Sequence, residues 1–432
     1  MTDAAACLVT KHTLGADVRI LVANKFWYRR AGLERVMFDE IAWLAAEGHE
    51  IAHFSTRHPE NDASPWENYF VPYFELGIQT QISRREQAIA AQRLFWNQEA
   101  EASFSRLLRD FRPDVVHVHG IHRQLSPSIL AAAQRAHVPV VQTLHDYHPI
   151  CPADDLLFAG SRACDPPRCT RFNVSPCARF RCVQHSASKS SLAAAELLWR
   201  RWVLHYERLV DAFISPSRYL ADVVTSHGVN KPIHLLPNAI PDPGTALVGN
   251  TASDEFVYAG RLSREKGLPT LLRAVELAGV RLAVAGDGPL RASLEAAAPS
   301  TVRFLGRLDG DDVNRLLATS RAAVVPSEWA ENAPMAVLEP MVLGRPVIAT
   351  RMGGIPEQVR DGVDGVIIPH GNPVELAAAL RVLAEDPALA DRLGRSARER
   401  AITRFDPGVH TRDLVDIYRG VVAQRNRNVR RA

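Results

Sequence analysis

The feature that most constrains this chain is a recurring short run of apolar residues, each followed by a stretch with helical periodicity. From Phe256 onward the runs are FVYAG, RLAVAG, VRFLG, AAVVPS, PVIAT and GVIIP. A strand with one solvated face alternates apolar and polar residues; runs that are apolar throughout belong to parallel strands covered by helices on both faces. Six of them in succession predict a doubly wound α/β domain. Pro373 to Glu385, Pro387 to Thr403 and Pro407 to Ala423 read as further helices, and the basic tail RNRNVRRA is expected to be solvated and frayed.

The same plan runs through the first half. VRILVA, a loop with Gly32, a stripe of Leu33, Val36, Met37, Ile41 and Leu44, and then IAHFST read as strand, helix and strand, with Gly48 in the left-handed position that ends the helix. DVVHVHG, a helix near Ser126 to Ala136, and VPVVQTLHD repeat the unit, and FISPS adds a strand. Ser83 to Phe111 and Leu192 to Val210 are expected to be helical. The Pro- and Gly-rich passage from Pro232 to Gly249 is the expected linker. The organisation predicted is a first Rossmann-like domain over 1–235 with a Cys-rich insert at 151–185, a second over 236–405, and a C-terminal segment over 406–432. A length of 432 residues suits two such domains. The 51 Lys and Arg nearly balance the 48 Asp and Glu, which argues against nucleic acid as a partner. No apolar run approaches the roughly 18 residues of a membrane span and no secretory signal opens the chain, so a cytoplasmic location is expected.

Ligands of doubly wound domains lie beyond the carboxyl ends of the strands. There, GRLSREKG places Arg261 and Lys266 between Gly260 and Gly267, two cations on a glycine-bounded loop that suit a diphosphate. In GDGP, Gly286 permits close backbone approach to a ligand. No GxGxxG fingerprint is present, which removes the main support for dehydrogenase chemistry. PSEWAENAPMAVLEPMVLGRPVIAT puts Glu331 in a loop after a strand, Pro334 where a helix would start, and Glu339 inside that helix. Carboxylates accept hydrogen bonds from paired sugar hydroxyls, and the helix start offers free N–H groups beside them. MGGIPE offers a second set of such donors. Gly32 can face a phosphate, and His119 and His145 close two strands, where an imidazole of near-neutral pKa could position a reacting group. Taken singly, these residues also suit a solvated loop, a tight turn, a helix cap or a structural position.

Taken together, GRLSREKG, GDGP, the Glu-x7-Glu of SEWAENAPMAVLE, MGGIPE and the early AGLERV resemble the GT-B retaining glycosyltransferases of family four, the glycosyl transferases group 1, over about residues 18 to 405. The resemblance implies two Rossmann-like domains facing a cleft, the first on the acceptor side and the second binding a nucleotide sugar, with the last helix crossing back to the first. It implies a hexosyltransferase that moves a sugar from a UDP- or GDP-linked donor to a hydroxyl of a glycan or lipid-linked acceptor, in cell-surface polysaccharide or glycolipid synthesis. By the same resemblance Arg261 and Lys266 hold the diphosphate, with Gly260 and Gly286 in the donor loops and Gly32 opposite. Glu339 binds ribose, Glu331 binds the transferred sugar with main-chain groups near Ala333, Met335 and Ala336, and His145 stands beside sugar and acceptor. His145, Glu331, Arg261 and Lys266 are the expected catalytic set, with no cofactor required, because prearranged cations stabilise the leaving diphosphate and that phosphate can itself take the acceptor proton. Two residues depart from the pattern. Ala31 replaces a common glycine, and Pro340 follows Glu339 where alanine is usual, so a kink or an altered helix start is expected there. A catalytically idle sugar-nucleotide or glycan binder, or a sugar-nucleotide epimerase, are the alternative readings.

Cys151-Pro152, following His145-Asp146, resembles a subgroup of that family with further cysteines. Cys164-x4-Cys169-x7-Cys177-x4-Cys182 could hold a structural zinc, although the usual knuckle has about two residues between paired ligands. Unligated thiols, a disulfide or an iron-sulfur site are also open, and an odd number of clustered cysteines argues against a plain disulfide framework. Arg168, Arg171, Arg179, Arg181 and Lys189, with the helix carrying Trp199, Arg200, Arg201, Trp202 and Tyr206, suit peripheral contact with anionic lipid headgroups, or else a packed helix with core tryptophans.

Overall fold

The computed structural model describes residues 17–74, 92–158, 162–164, 167–244 and 253–429. Sixteen strands are present among them: β1 (Arg19–Ala23), β2 (Glu50–Phe54), β3 (Thr56–Arg57), β4 (Val71–Pro72), β5 (Val115–Val118), β6 (Val140–Thr143), β7 (Leu157–Phe158), β8 (Arg162–Ala163), β9 (Ala212–Ser215), β10 (Ile233–Leu235), β11 (Glu255–Ala259), β12 (Arg281–Ala285), β13 (Val302–Gly306), β14 (Ala323–Val325), β15 (Val347–Thr350) and β16 (Gly365–Ile368). One six-stranded sheet has the order β10-β9-β6-β5-β1-β2 and the other β13-β12-β11-β14-β15-β16. In the second sheet every neighbouring pair is parallel, as are β1–β2, β1–β5 and β9–β10 in the first. These are two doubly wound sheets, as the apolar runs predict.

The chain divides into two compact units, one of residues 1–28, 37–141 and 415–432, the other of 29–36 and 142–414, with one of the boundaries falling within β6. In the second unit the reason for the apolar runs is visible residue by residue. Val257, Ala283, Ala323 and Val347 pack into one core with Val337, Leu338 and Met341 from the Met335–Val342 helix. Their strand neighbours Phe256, Leu282, Val324 and Ile348 enter a second core with Leu271, Val275 and Leu380 from the Leu268–Ala278 and Pro373–Glu385 helices. Successive side chains of a strand point to opposite faces, so a strand buried on both faces has no polar positions. Of the Gly32–Ala46 helix, residues 32–36 belong to the second unit, where Val36 of the expected stripe joins the core of Val257 and Val337; in the first unit Met37 and Leu44 are buried, and Gly48 adopts φ +92° just beyond the helix.

Several expectations are corrected. β10 lies inside the passage read as linker; it is short and half-exposed at a sheet edge, so its sequence carries little apolar signal. The helix expected over Leu192 to Val210 is Ala187–Trp202, capped by Ser186, whose side chain accepts from the Lys189 N–H. It does not reach Val210, because His205 turns left-handed at φ +52° before a short 3-10 turn at Tyr206–Leu209. The final helix runs Pro407–Val429, so the basic tail is helical through Val429; it contains no glycine or proline breaker, and Arg425 donates to the Gln134 side chain at 2.7 Å. Of the stretch Ser83 to Phe111, Gln98–Phe111 is helical, while 83–91 lies outside the described residues.

Candidate functional site

The strand order of the second sheet reverses at β11, which lies between β12 and β14. That reversal opens a crevice beyond the carboxyl ends of β11 and β14. Into it the chain delivers Gly260 and Arg261 directly after β11, and the Pro326–Glu331 loop directly after β14.

The two loops are bound to each other by a carboxylate and an ammonium. Lys266, on a single 3-10 turn, donates from Nζ to Glu331 Oε1 at 2.6 Å, and the Ser327 hydroxyl donates to the same oxygen at 2.9 Å. The Lys266 Nζ also lies 5.4 Å from the centre of the Trp329 ring. Glu331 is buried with only 5% of its surface exposed, so its charge depends on these partners. Gly267 follows at φ +72°; a Cβ there would stand 1.9 Å from the Pro326 carbonyl oxygen, so only glycine lets this turn close against the β14 loop. Arg261 is exposed, and its guanidinium makes no hydrogen bond or ion pair among the described residues. The Tyr258 hydroxyl donates to the Arg261 carbonyl at 2.8 Å and fixes its backbone. GDGP is strapped to the same loop: the Leu262 N–H donates to the Asp287 carbonyl at 2.9 Å and the Leu290 N–H to the Leu262 carbonyl at 3.0 Å.

The loop from Trp329 to Ala333 is held along its length. Tyr147 donates to the Ala330 carbonyl at 2.6 Å, the Asn332 amide to the Leu144 carbonyl at 3.0 Å, and the Asn238 amide to the Ala333 carbonyl at 2.9 Å. Ser217 donates to the Asn332 side-chain oxygen at 2.6 Å, and the Trp329 indole to the Asp155 carbonyl. Pro334 caps the Met335–Val342 helix, so Met335 and Ala336 form its first turn, whose N–H groups have no partner within the helix. MGGIPE does something other than expected: the Gly354 N–H is taken by the Glu331 carbonyl at 2.7 Å, and a Cβ on Gly353 would stand 2.0 Å from that same carbonyl oxygen. This motif braces Glu331 more than it offers phosphate donors.

Glu339 is ion-paired with Arg35 of the Gly32–Ala46 helix. Pro340 is accommodated inside its helix, which ends two residues later, at Val342. Ala31 does not prevent its own helix from starting, since the Ala31 N–H donates to the Glu34 carboxylate at 3.1 Å as in a capping box. Gly32 opens that helix, exposed, with no atom within 4 Å of where a Cβ would lie. His145 keeps some exposure, yet the surrounding protein desolvates its imidazole and pushes the pKa down to about 3, not to the near-neutral value expected. It is a neutral hydrogen-bonding group at ordinary pH.

Reasoning from sequence missed Arg35, Ser327, Trp329, Asn332 and Tyr258. Arg35 was within sight, inside the AGLERV motif, but nothing in that motif names Glu339 as its partner. His119 is fully internal, its Nε2 3.7 Å from the Glu40 carboxylate, beside His117, whose Nδ1 is hydrogen-bonded to Tyr418 at 2.7 Å. The available signal was Glu40 itself, a carboxylate in the apolar stripe of its helix.

None of the five described cysteines is in a disulfide. Cys151, Cys164, Cys169, Cys177 and Cys182 all line one cavity of about 20 Å³. Cys177 and Cys182 share a hydrogen bond, which together with burial raises the Cys177 thiol; burial raises Cys151 and Cys164 and pushes Cys169 up to about 11. The Arg168 N–H donates to the Cys164 sulfur at 3.3 Å. Among the described residues, however, the one group of three or more potential metal ligands with ligand atoms within 4.8 Å of one another is Glu40, His117 and His119. The four thiols expected to form a tetrahedral set are gathered without reaching that spacing.

Residues 30–242 match the family model described as Glycosyltransferase Family 4, and residues 248–400 that described as Glycosyl transferases group 1. The chain is 30% identical over 317 residues to a glycogen synthase of Mycobacterium tuberculosis, covering 69% of this chain and 66% of that protein. It is 32% identical over 232 residues to the lipopolysaccharide core biosynthesis glycosyltransferase LpsD of Rhizobium meliloti, covering 51% of this chain and 67% of that protein. The fold resembles sucrose-phosphate synthase from Thermosynechococcus elongatus, with a TM-score of 0.65, 18% identity and coverage of 94% of this chain and 100% of that one. It also resembles Anabaena Alr3699/HepE in complex with UDP and glucose, with a TM-score of 0.61, 18% identity and coverage of 93% and 100%.

Proposed function

This chain belongs to the glycosyltransferases of GT-B fold, the group 1 and family 4 type, and we propose that it transfers a hexose from a nucleotide diphosphate donor to an acceptor hydroxyl with retention of configuration. The observation that carries this reading is the meeting of Lys266 and Glu331 at the point where the second sheet reverses, with Arg261 exposed beside them. Cleaving the sugar–phosphate bond places positive charge on the sugar ring and negative charge on the leaving diphosphate. Arg261 and Lys266 are prearranged for the second, and the first-turn N–H groups of Met335 and Ala336 add to them. Glu331 is braced on its backbone and fixed on its side chain, as a group that orients sugar hydroxyls must be. Glu339 receives the ribose, and Arg35 must exchange this partner when the donor binds. His145, neutral, hydrogen-bonds the sugar or acceptor without adding a charge, which leaves the departing phosphate to accept the acceptor proton.

The roles divide between 236–405, which holds the donor, and 1–235, which receives the acceptor, with 406–432 linking back to the latter. Relatives in glycogen and lipopolysaccharide synthesis support a glycan or lipid-linked acceptor, and a fold neighbour with bound UDP supports a UDP-sugar, with GDP as the other candidate. No helix among the described residues is long and apolar enough to cross a membrane, which suits a cytoplasmic enzyme that meets its acceptor at the inner membrane face through a peripheral surface. The clustered cysteines support assignment to the subgroup with a Cys-rich insert. Their thiolates are the right donors for a structural zinc on Cys164, Cys169, Cys177 and Cys182, which line one cavity, although the sulfurs would have to draw together to hold it. Catalysis itself draws on no metal in this reading. Metal analysis of purified protein should find about one zinc per chain, lost on Cys177→Ser with Cys182→Ser.

Thermal stabilisation against a panel of UDP-, GDP- and ADP-sugars tests the function. A UDP- or GDP-sugar should raise the melting temperature and be consumed with an α-linked donor giving an α-linked product. Lys266→Ala and Glu331→Ala should each cut transfer by about 10²-fold or more; undiminished activity in both would remove the site assignment. Epimerised free nucleotide sugar without need of an acceptor would replace transfer by epimerisation.

A further inference from the structure

The donor site leaves unexplained a surface on the insert and the helix after it. Phe172 and Val203 are among the most exposed large apolar side chains described, at 77% and 68%, and Trp202 stands at 43%. Phe172 and Trp202 stack with ring centres 5.6 Å apart, and the Arg171 guanidinium lies 5.7 Å from the Trp202 ring. Beyond the contact with each other and with Arg171, two aromatics this exposed gain little from packing.

Behind the pair is a cavity of about 300 Å³ lined by Arg171, Arg200, Arg201, Trp202, His205 and Arg208. The acidic residue among its walls is Glu207, set against four guanidinium groups. Arg200 is buried, ion-paired with Glu196 at 3.2 Å, and donates to the His148 carbonyl at 2.8 Å. Arg201 donates to two neutral carbonyls, those of Arg171 at 2.6 Å and Pro149 at 3.3 Å. Arg171 itself bonds the Gly228 carbonyl. The carbonyls fix the guanidinium planes of Arg201 and Arg171 without neutralising them. The strain shows in Arg201, whose pKa is pushed down to about 10, first by burial and then by the neighbouring charges of Arg200 and Arg171. An anion in this cavity would relieve that crowding.

We infer that this face docks the protein onto a bilayer rich in anionic phospholipid, with Phe172 and Trp202 entering the boundary between headgroups and acyl chains and the arginine cavity receiving a lipid phosphate. Arg presents a planar fork to phosphate oxygens, and aromatic rings settle at membrane interfaces. The adjacency is what selects a bilayer over a soluble anion, since a free phosphate would use the cavity and leave the aromatic pair without purpose. This deepens the peripheral membrane contact proposed above and rests on it, but no donor-site residue takes part.

The test is co-sedimentation of the full chain with vesicles of phosphatidylcholine alone or with about one third phosphatidylglycerol, at low and high salt. The protein should bind the anionic vesicles, less at high salt. Phe172→Ser with Trp202→Ser, and separately Arg171→Ser with Arg208→Ser, should each weaken binding by about tenfold or more. Both variants should keep their melting temperature and their stabilisation by the nucleotide sugar, which separates docking from folding and from donor binding. Absence of binding to anionic vesicles, or binding by either double variant equal to that of the parent, would overturn the inference. So would a change in oligomeric state of the aromatic variant without vesicles, which would give the face to a second protein, or stabilisation by glycerol phosphate that the arginine variant loses while anionic vesicles fail to bind. A chain that docks but accepts no nucleotide sugar would instead count against the proposed function alone.

Discussion

The loop after β14 and the Cys-rich insert both concentrate charge, and they manage it in opposite ways. In the loop, the buried carboxylate of Glu331 meets Lys266 and Ser327, and Glu339 meets Arg35. On the insert and the helix after it, Arg200 has Glu196 as its ion-pair partner, but Arg201 and Arg171 crowd beside it and lean on carbonyls. The loop also rests on two apolar cores, whereas the insert's cluster has Val174, Ala194 and Leu197 as its buried members. Paired charges over a packed core make a site that keeps its shape while a ligand exchanges partners with it; like charges over a thin core make a surface that an external anion would complete.

The sharpest way to break this contrast is to remove one member of a pair. Lys266→Ala deprives the proposed donor site of a cation and leaves the Glu331 carboxylate buried against Ser327 alone. Turnover should fall by about 10²–10³, the usual result of deleting one prearranged charge-stabilising group, and the melting temperature should fall with it. Lys266→Arg should restore much of the stability and less of the turnover, because a planar fork does not reproduce a point charge at 2.6 Å. Turnover and calorimetry on the three proteins check both statements. Equal stability in all three would mean the pair is a solvated contact.

A second route tests backbone closure. Gly267→Ala must place a Cβ against the Pro326 carbonyl while holding φ +72°, and should cost about 2–3 kcal/mol in denaturant unfolding. Gly279→Ala has almost the same φ, +71°, with no atom within 4 Å, and should cost only about 1 kcal/mol. The difference between them isolates the close approach of the β11 and β14 loops from left-handed strain.

How much of this was legible in advance follows from what a sequence encodes locally. Phe256, Val257, Leu282 and Ala283 show a strand buried on both faces, because burial repeats along the chain and leaves its mark there. Arg261, Lys266, Glu331 and Glu339 were legible as residue types at strand ends. Their partners were not: Arg35 reaches Glu339 across 304 positions and Asn332 reaches Leu144 across 188, and no local pattern encodes such pairings. β10 and the helical tail were misread for a related reason, since a half-exposed edge strand and an exposed helical turn have no apolar period. His145 was identified as a residue, but its electrostatic character was not, since desolvation is a property of what folds around it.

The two regions also differ in the sign of their pH response. His145 in the site has a folded pKa of about 3, below its unfolded value near 6.5, so its contribution is intact above pH 6.5 and is lost as the pH falls toward 3. Asp155, inside the insert, is raised to about 7, mainly by burial. Its unfolded carboxyl ionises near 3.8, so folding loses stability as the pH rises from about 4 to about 7. Asp155→Asn keeps an acceptor for the Leu157 N–H and should stabilise the protein by about 1–2 kcal/mol at pH 7.5 and by little at pH 4. Unfolding followed at the two pH values checks this; equal gains at both would place the effect in packing.

The smallest expected effect lies on the insert surface, and its smallness is the point. Phe172→Ser and Trp202→Ser remove exposed rings that stack on each other, Trp202 also lying under Arg171, so at most one aromatic contact and one cation–π contact are forfeited. Each should change the unfolding free energy by about 0.5 kcal/mol or less. A residue conserving so little stability while exposing so much apolar surface would be selected for what it touches outside the chain. A loss of several kcal/mol from either change would reverse that conclusion, showing the pair to be the insert's missing core and making its arginines structural as well.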